Sequence, residues 1–127
     1  MRKSILSING NRSMNFLIQT VLSPSYNLVA VSDVYQGMNE MKRNPEIELI
    51  IIDIDFNAQE NWDFVGHINT SGLYQGTPII ALTSNDKVQN DPMLAHQVNS
   101  FFHKPFSPQE LEKTISELLF KPSLKVI

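Results

Sequence analysis

Glu48-Leu49-Ile50-Ile51-Ile52-Asp53 is the stretch on which the reading of this chain turns. Four apolar residues in a row read as a strand covered on both faces, and the carboxylate that ends them falls where a parallel sheet opens to solvent. Two further strand-like runs end on complementary chemistry. Pro78-Ile79-Ile80-Ala81-Leu82 runs into Thr83, and Phe101-Phe102-His103 runs into Lys104. A carboxylate, a hydroxyl and an ammonium brought to one edge of a sheet are the groups that handle a phosphoryl group.

Working outward, the remaining sequence alternates between strand and helix signals. Ser4 to Ile8 is a short strand broken by Asn9-Gly10-Asn11. Ser13 to Leu22 carries Phe16, Leu17 and Val21 at helical spacing and stops before Ser23-Pro24-Ser25. Leu28-Val29-Ala30-Val31 reads as a second buried strand. Asp33 caps a helix with Val34, Met38 and Met41 on one face, ending before Asn44-Pro45. After Asp53 a polar loop is expected through Asn61, then a helix from Trp62 to Ile68 with Phe64, Val65 and Ile68 inward.

Lys87 to Val98 reads as a helix with Asp91-Pro92 suited to a start, since proline needs no donor there. Ser100 to His103 is the fifth strand. Ser107-Pro108-Gln109-Glu110 has the form of a capping box, and Leu111, Ile115, Leu118 and Leu119 line one helical face. Lys121 and Pro122 end that helix, which makes 1–120 one domain and 121–127 a C-terminal tail. Five strand–helix repeats with short connections require a parallel sheet with helices on both faces. Ligands of such folds bind beyond the carboxyl ends of the strands, which is where Asp53, Thr83 and Lys104 fall.

The bulk numbers narrow the class. At 127 residues the chain is long enough for one core and too short for two. With 42% hydrophobic and 18% charged residues it is a folding sequence, not a disordered one. A net charge of −3 gives no basic field for nucleic acid, and there is neither a basic stripe nor a helix-turn-helix remainder. The absence of cysteine removes thiol catalysis, thiolate metal sites and disulfides. Met1-Arg2-Lys3 begins like a signal peptide, but Ser4-Ile5-Leu6-Ser7-Ile8 is too short and polar to continue one. No stretch approaches the roughly 18 apolar residues of a membrane span. The expected location is the cytoplasm, with neither nucleic acid nor membrane as a partner.

Three segments carry a family resemblance across nearly the whole chain: Glu48 to Asp53, Thr77-Pro78-Ile79-Ile80-Ala81-Leu82-Thr83-Ser84, and Phe101-Phe102-His103-Lys104-Pro105-Phe106. In order and separation they resemble the receiver domain of two-component response regulators. The resemblance implies a flavodoxin-like (βα)5 three-layer sandwich with a five-stranded parallel sheet. It makes Asp53 the phospho-acceptor, Thr83 and Lys104 its phosphoryl partners, and Thr83 with Phe101 the switch pair. It also implies a sensor histidine kinase or phosphotransfer protein as donor and a downstream protein as reader. A cis bond before Pro105 would aim Lys104 back over the sheet.

One departure from the family bears on mechanism. Receivers carry an acidic pair after the first strand that helps to hold magnesium, and this chain has Asn9-Gly10. The metal set left is Asp53, Asn9 and Asp55, a weak or absent site, so the expected magnesium-dependent phosphorylation is impaired or absent. Asn57-Ala58 also stands where relatives often have Pro-Gly. Two alternatives follow: a phosphorylation-independent pseudo-receiver that serves as an interaction module, and a haloacid-dehalogenase-like phosphohydrolase. The second finds Asp53-Ile54-Asp55, Thr83 and a later lysine, but no acidic pair after Lys104 and little room for a cap. The expectation is a signalling module, not an enzyme.

Overall fold

The apolar run into Asp53 becomes the middle strand of the sheet. The computed structural model describes residues 2–120, in which the elements are β1 (Ser4–Ile8), α1 (Arg12–Leu22), β2 (Asn27–Val31), α2 (Val34–Arg43), β3 (Ile47–Asp53), α3 (Ala58–Thr70), β4 (Ile79–Thr83), α4 (Asp86–Gln89), α5 (Pro92–Ala95), β5 (Ser100–His103) and α6 (Pro108–Phe120). The predicted tail at 121–127, with the stop at Lys121 and Pro122, lies outside the described residues. All strands are parallel, in the order β2-β1-β3-β4-β5. This is the predicted flavodoxin-like arrangement.

Alternate residues of a strand point to opposite faces, which is why Leu49 to Ile52 must all be apolar. Ile50 and Ile52 join Leu6, Ile8 and Ala81 against Val34 and Met41 of α2 and Phe64, Val65 and Ile68 of α3. Leu49 and Ile51 join Ile5, Ile80 and Leu82 against Ile18 and Leu22 of α1 and Leu111 and Ile115 of α6. The result is three layers, with the sheet filling the middle. Gly37 lets α2 approach β1 closely: a Cβ there would meet Ile8 Cδ1 at 2.6 Å.

Several local expectations are corrected. Leu28 to Val31 is not a buried strand, because β2 is an edge of the sheet and its residues are exposed or half-buried. In α1 the inward face is Ile18 and Leu22, flanked by Met14 and Val21, so Phe16 and Leu17 are exposed. The helix expected from Trp62 begins at Ala58, because Asn57 takes a left-handed conformation (φ 53°) that turns the chain into α3 early. Asparagine tolerates that conformation better than most side chains. One helix over Lys87–Val98 becomes two short ones, the second opened by Asp91, whose side chain accepts from the Met93 N–H at 2.9 Å.

At the other edge, β5 is four residues long. Just before it, the Asn99 N–H donates to the Ile79 carbonyl (2.8 Å), and Asn99 Oδ1 accepts from the Ile79 N–H (2.9 Å). This pair of hydrogen bonds between two residues sets the pairing that makes Thr83 and His103 register partners. α6 opens on one half of the predicted capping box: Ser107 Oγ accepts the Glu110 N–H at 3.3 Å, while its own hydroxyl donates to Gln109 Oε1 at 3.1 Å. No helix among the described residues is long and apolar enough to cross a membrane.

Candidate functional site

Asp53, Thr83 and Lys104 stand together because three neighbouring parallel strands end side by side. Asp53 pairs with Leu82 across β3 and β4, and Thr83 pairs with His103 across β4 and β5, so each strand delivers its polar residue one step beyond its neighbour's. Asp53 and Thr83 are buried to 2% and 0% residual exposure. A buried carboxylate survives only if its charge is met, and Asp53 is met on both oxygens. Lys104 Nζ donates to Oδ2 at 2.7 Å, and the Asp55 N–H donates to Oδ1 at 3.0 Å. The Lys104–Pro105 peptide bond is cis.

Asp55 enters the site through its side chain as well as its backbone. Thr83 Oγ1–H donates to its Oδ1 at 2.6 Å, and the Ser84 N–H and Oγ–H donate to its Oδ2 at 2.9 Å and 3.0 Å. Lys104 Nζ lies 2.9 Å from that same Oδ2, so one ammonium bridges two carboxylates. Burial pushes the Asp55 pKa up, but the hydrogen bonds from Thr83, Lys104 and Ser84 outweigh it and hold the group at about 2. Burial likewise works against the Lys104 charge, and the hydrogen bonds to Asp53 and Asp55 overcome it, leaving its pKa raised.

Three further residues shape the pocket, and sequence reasoning gave them no role. Asn61, nearly buried, donates its amide to the Asp53 carbonyl at 3.1 Å and also to the Phe56 carbonyl, tying down the loop that carries Asp55. Its polarity had suggested a loop residue. Ser84 follows Thr83 directly and was legible only as part of the strand-end motif. The Phe56 ring covers Gly10, whose added Cβ would lie 3.5 Å from it, and has Lys104 Nζ 5.9 Å from its centroid. Phe101 is not among the converging groups. It packs in the core layer beneath, edge-on to Trp62 with ring centroids 6.3 Å apart.

Magnesium requires oxygen ligands in near-octahedral array, and the donors present do not fit it. Asn9 Oδ1 accepts the Asn11 N–H at 2.8 Å, which leaves Nδ2, a donor and not a metal ligand, as the other end of the amide. That buried Nδ2 has no hydrogen-bond partner among the described residues. Gly10 offers no side chain, both Asp53 oxygens carry hydrogen bonds, and Asp55 is engaged by Thr83, Ser84 and Lys104. Among the described residues no group of three or more His, Asp or Glu is placed to hold a metal ion.

Comparison with known proteins agrees with this architecture. The family model described as the response regulator receiver domain matches residues 5–116. No curated protein matches the chain. Among solved structures, the chemotaxis response regulator CheY4 of Vibrio cholerae is similar at 20% identity, with a TM-score of 0.78 over 94% of this chain and 100% of that one. A two-component response regulator from Clostridium difficile superposes with a TM-score of 0.82 at 16% identity, covering 94% of this chain and 98% of the other. The signal receiver domain of an HD domain-containing protein from Pseudomonas fluorescens gives 0.77 at 22% identity, over 93% and 87%. These likenesses establish the fold, and the match over residues 5–116 establishes the family: the chain belongs to the response regulator receiver domains.

Proposed function

We propose that this receiver takes part in two-component signalling through Asp53 as phospho-acceptor, with magnesium-dependent phosphorylation that is weak or absent. The observation that carries this reading is the contact of Lys104 Nζ with Asp53 Oδ2 at 2.7 Å, beside an Asn9 whose oxygen is already used. In the transfer step a lone pair of an Asp53 carboxylate oxygen forms the new O–P bond as the bond from phosphorus to the donor's histidine nitrogen breaks, its electron pair staying on that nitrogen; with acetyl phosphate the leaving atom is the acetate oxygen. Lys104 neutralises oxygen charge as it develops, and the Thr83 hydroxyl donates to a second oxygen. The phosphoryl donor is a sensor histidine kinase or phosphotransfer protein, the output is an altered contact with a downstream protein, and the setting is the cytoplasm. Magnesium supplies much of the neutralisation in ordinary receivers; here that task falls mainly on Lys104.

A second reading is supported by the bridging lysine. With Lys104 shared between Asp53 and Asp55, the site is held in one arrangement, and the domain then serves as a phosphorylation-independent docking module. Incubation with acetyl phosphate, with and without magnesium, followed by intact-mass analysis, tests the proposal. Slow or undetectable addition of one phosphoryl group is expected, confined to Asp53. Fast modification that depends steeply on magnesium would overturn the impaired-site reading.

A further inference from the structure

Asp55 receives more donors than a loop carboxylate needs. A hydroxyl (Thr83), a backbone N–H and a hydroxyl (both Ser84) and an ammonium (Lys104) converge on its two oxygens at 2.6 to 3.0 Å. Fixed donors of these types, aimed at the oxygens of one anion, are what a phosphoryl group attached to Asp53 requires. Lys104 reaches the Asp53 carboxylate at the same time, so the ring of donors lies beside the acceptor.

We infer that Asp55 is a resident anion in the phosphoryl subsite: its carboxylate competes with an incoming phosphoryl group for Thr83, Ser84 and Lys104. The inference rests on the proposed role of Asp53 and concerns what regulates access to it. Charge supports it, since two carboxylates against one ammonium leave the site one charge negative before any phosphodonor arrives. A phosphoryl group added with Asp55 still seated would find its donors taken and another anion beside it. Access supports it too: the Asp55 side chain keeps 23% of its exposure while that of Asp53 keeps none, so Asp55 is the carboxylate able to swing out. While seated, Asp55 holds Thr83, Ser84 and Lys104 where a phosphoryl group would hold them.

The test compares wild type with Asp55→Ala, which empties the subsite, and Asp55→Asn, which keeps the shape and loses the charge. Inorganic phosphate is titrated while the Ser84 and Asn85 amide resonances are followed, and labelling of Asp53 by acetyl phosphate is timed by mass spectrometry. The expected result is that both folded variants bind phosphate at Ser84 about tenfold more tightly than wild type or better, as loss of a carboxylate that holds charge-assisted hydrogen bonds predicts. Labelling of Asp53 accelerates in the same order. Phosphate binding no tighter than wild type in both variants would overturn the inference, as would measurable labelling of wild type that is as fast as theirs; the second result leaves Asp53 standing as acceptor. Tighter phosphate binding at Ser84 without any label on Asp53 would support the resident anion and count against the acceptor.

Discussion

The backbone N–H of Asn11 donates to Oδ1 of Asn9 at 2.8 Å and thereby fixes which end of that amide is already engaged. A donor cannot face a donor, so the oxygen stays with Asn11, and Nδ2 is left buried with no partner among the described residues. A carboxylate at the same position keeps the Asn11 bond and offers a second oxygen where the nitrogen was. Asn9→Asp is therefore expected to gain affinity for magnesium over wild type. Titration of both proteins with magnesium chloride, read from the amide resonances of residues 53–56, checks this; identical curves would show that the amide is not what weakens the site.

Removing the bridging cation leaves two carboxylates facing each other with nothing between them. Lys104→Met is expected to destabilise the fold by about 3 kcal/mol, the low end for breaking a buried ion pair, since Lys104 keeps some contact with water. Adding Asp53→Asn to that variant removes the most buried of the stranded charges and recovers part of the loss. Urea denaturation of the three proteins decides it. A double variant no more stable than Lys104→Met would mean that the loss comes from packing of the lysine stem.

Stability should depend on pH through the same cluster. The folded-state pKa of Asp55, about 2, lies below the ordinary 3.8, so its stabilisation is complete above 3.8 and is lost as pH falls toward 2. The folded-state pKa of Lys104 lies above its ordinary 10.5, so its stabilisation is complete below 10.5 and is lost as pH rises through the raised value. The urea midpoint of wild type is expected to fall below roughly pH 4, and Asp55→Asn to show a shallower fall. Parallel acid limbs for the two proteins would assign the acid sensitivity to other carboxylates.

Gly37 and Ile8 form an independent test of the packing. An alanine Cβ at 37 would meet Ile8 Cδ1 at 2.6 Å and Cγ1 at 3.1 Å. Overpacking costs about 1–3 kcal/mol, and better helix propensity returns about 1. Gly37→Ala is thus expected to destabilise by about 1 kcal/mol. In an Ile8→Val background, which lacks Cδ1, the same change should become neutral or stabilising, and a double-mutant cycle reads the coupling. Additive effects would mean that α2 shifts to relieve the contact.

How much of this was legible depends on whether the information was local. The run into Asp53, the capped α6 and the fifth strand at Ser100–His103 were readable because apolar runs, caps and turn residues act over a few positions. The convergence of Asp53, Thr83 and Lys104 followed from strand alternation alone. The edge position of β2 was not readable, since Leu28 to Val31 has the composition of a core strand and sheet order is decided elsewhere. The face of α1 was misjudged because Phe16 is the largest apolar side chain on the helix, while Ile18 and Leu22 set its phase. Asp55 was read in the sequence only as a metal ligand, and its side-chain hydrogen bonding was invisible because its partner Ser84 lies 29 residues on. Asn61 gave no signal beyond polarity, although two backbone carbonyls depend on it.

The outermost ribbon of the sheet touches its neighbour along only four residues, and Asn99 grips Ile79 from both directions just ahead of it. A slip by one position would put an imidazole at the tip in place of the ammonium and turn Phe101 away from its layer. An uncharged side chain at the foot of the ribbon thus acts as the zero mark of a ruler, and the electrical balance at the far end is measured from it.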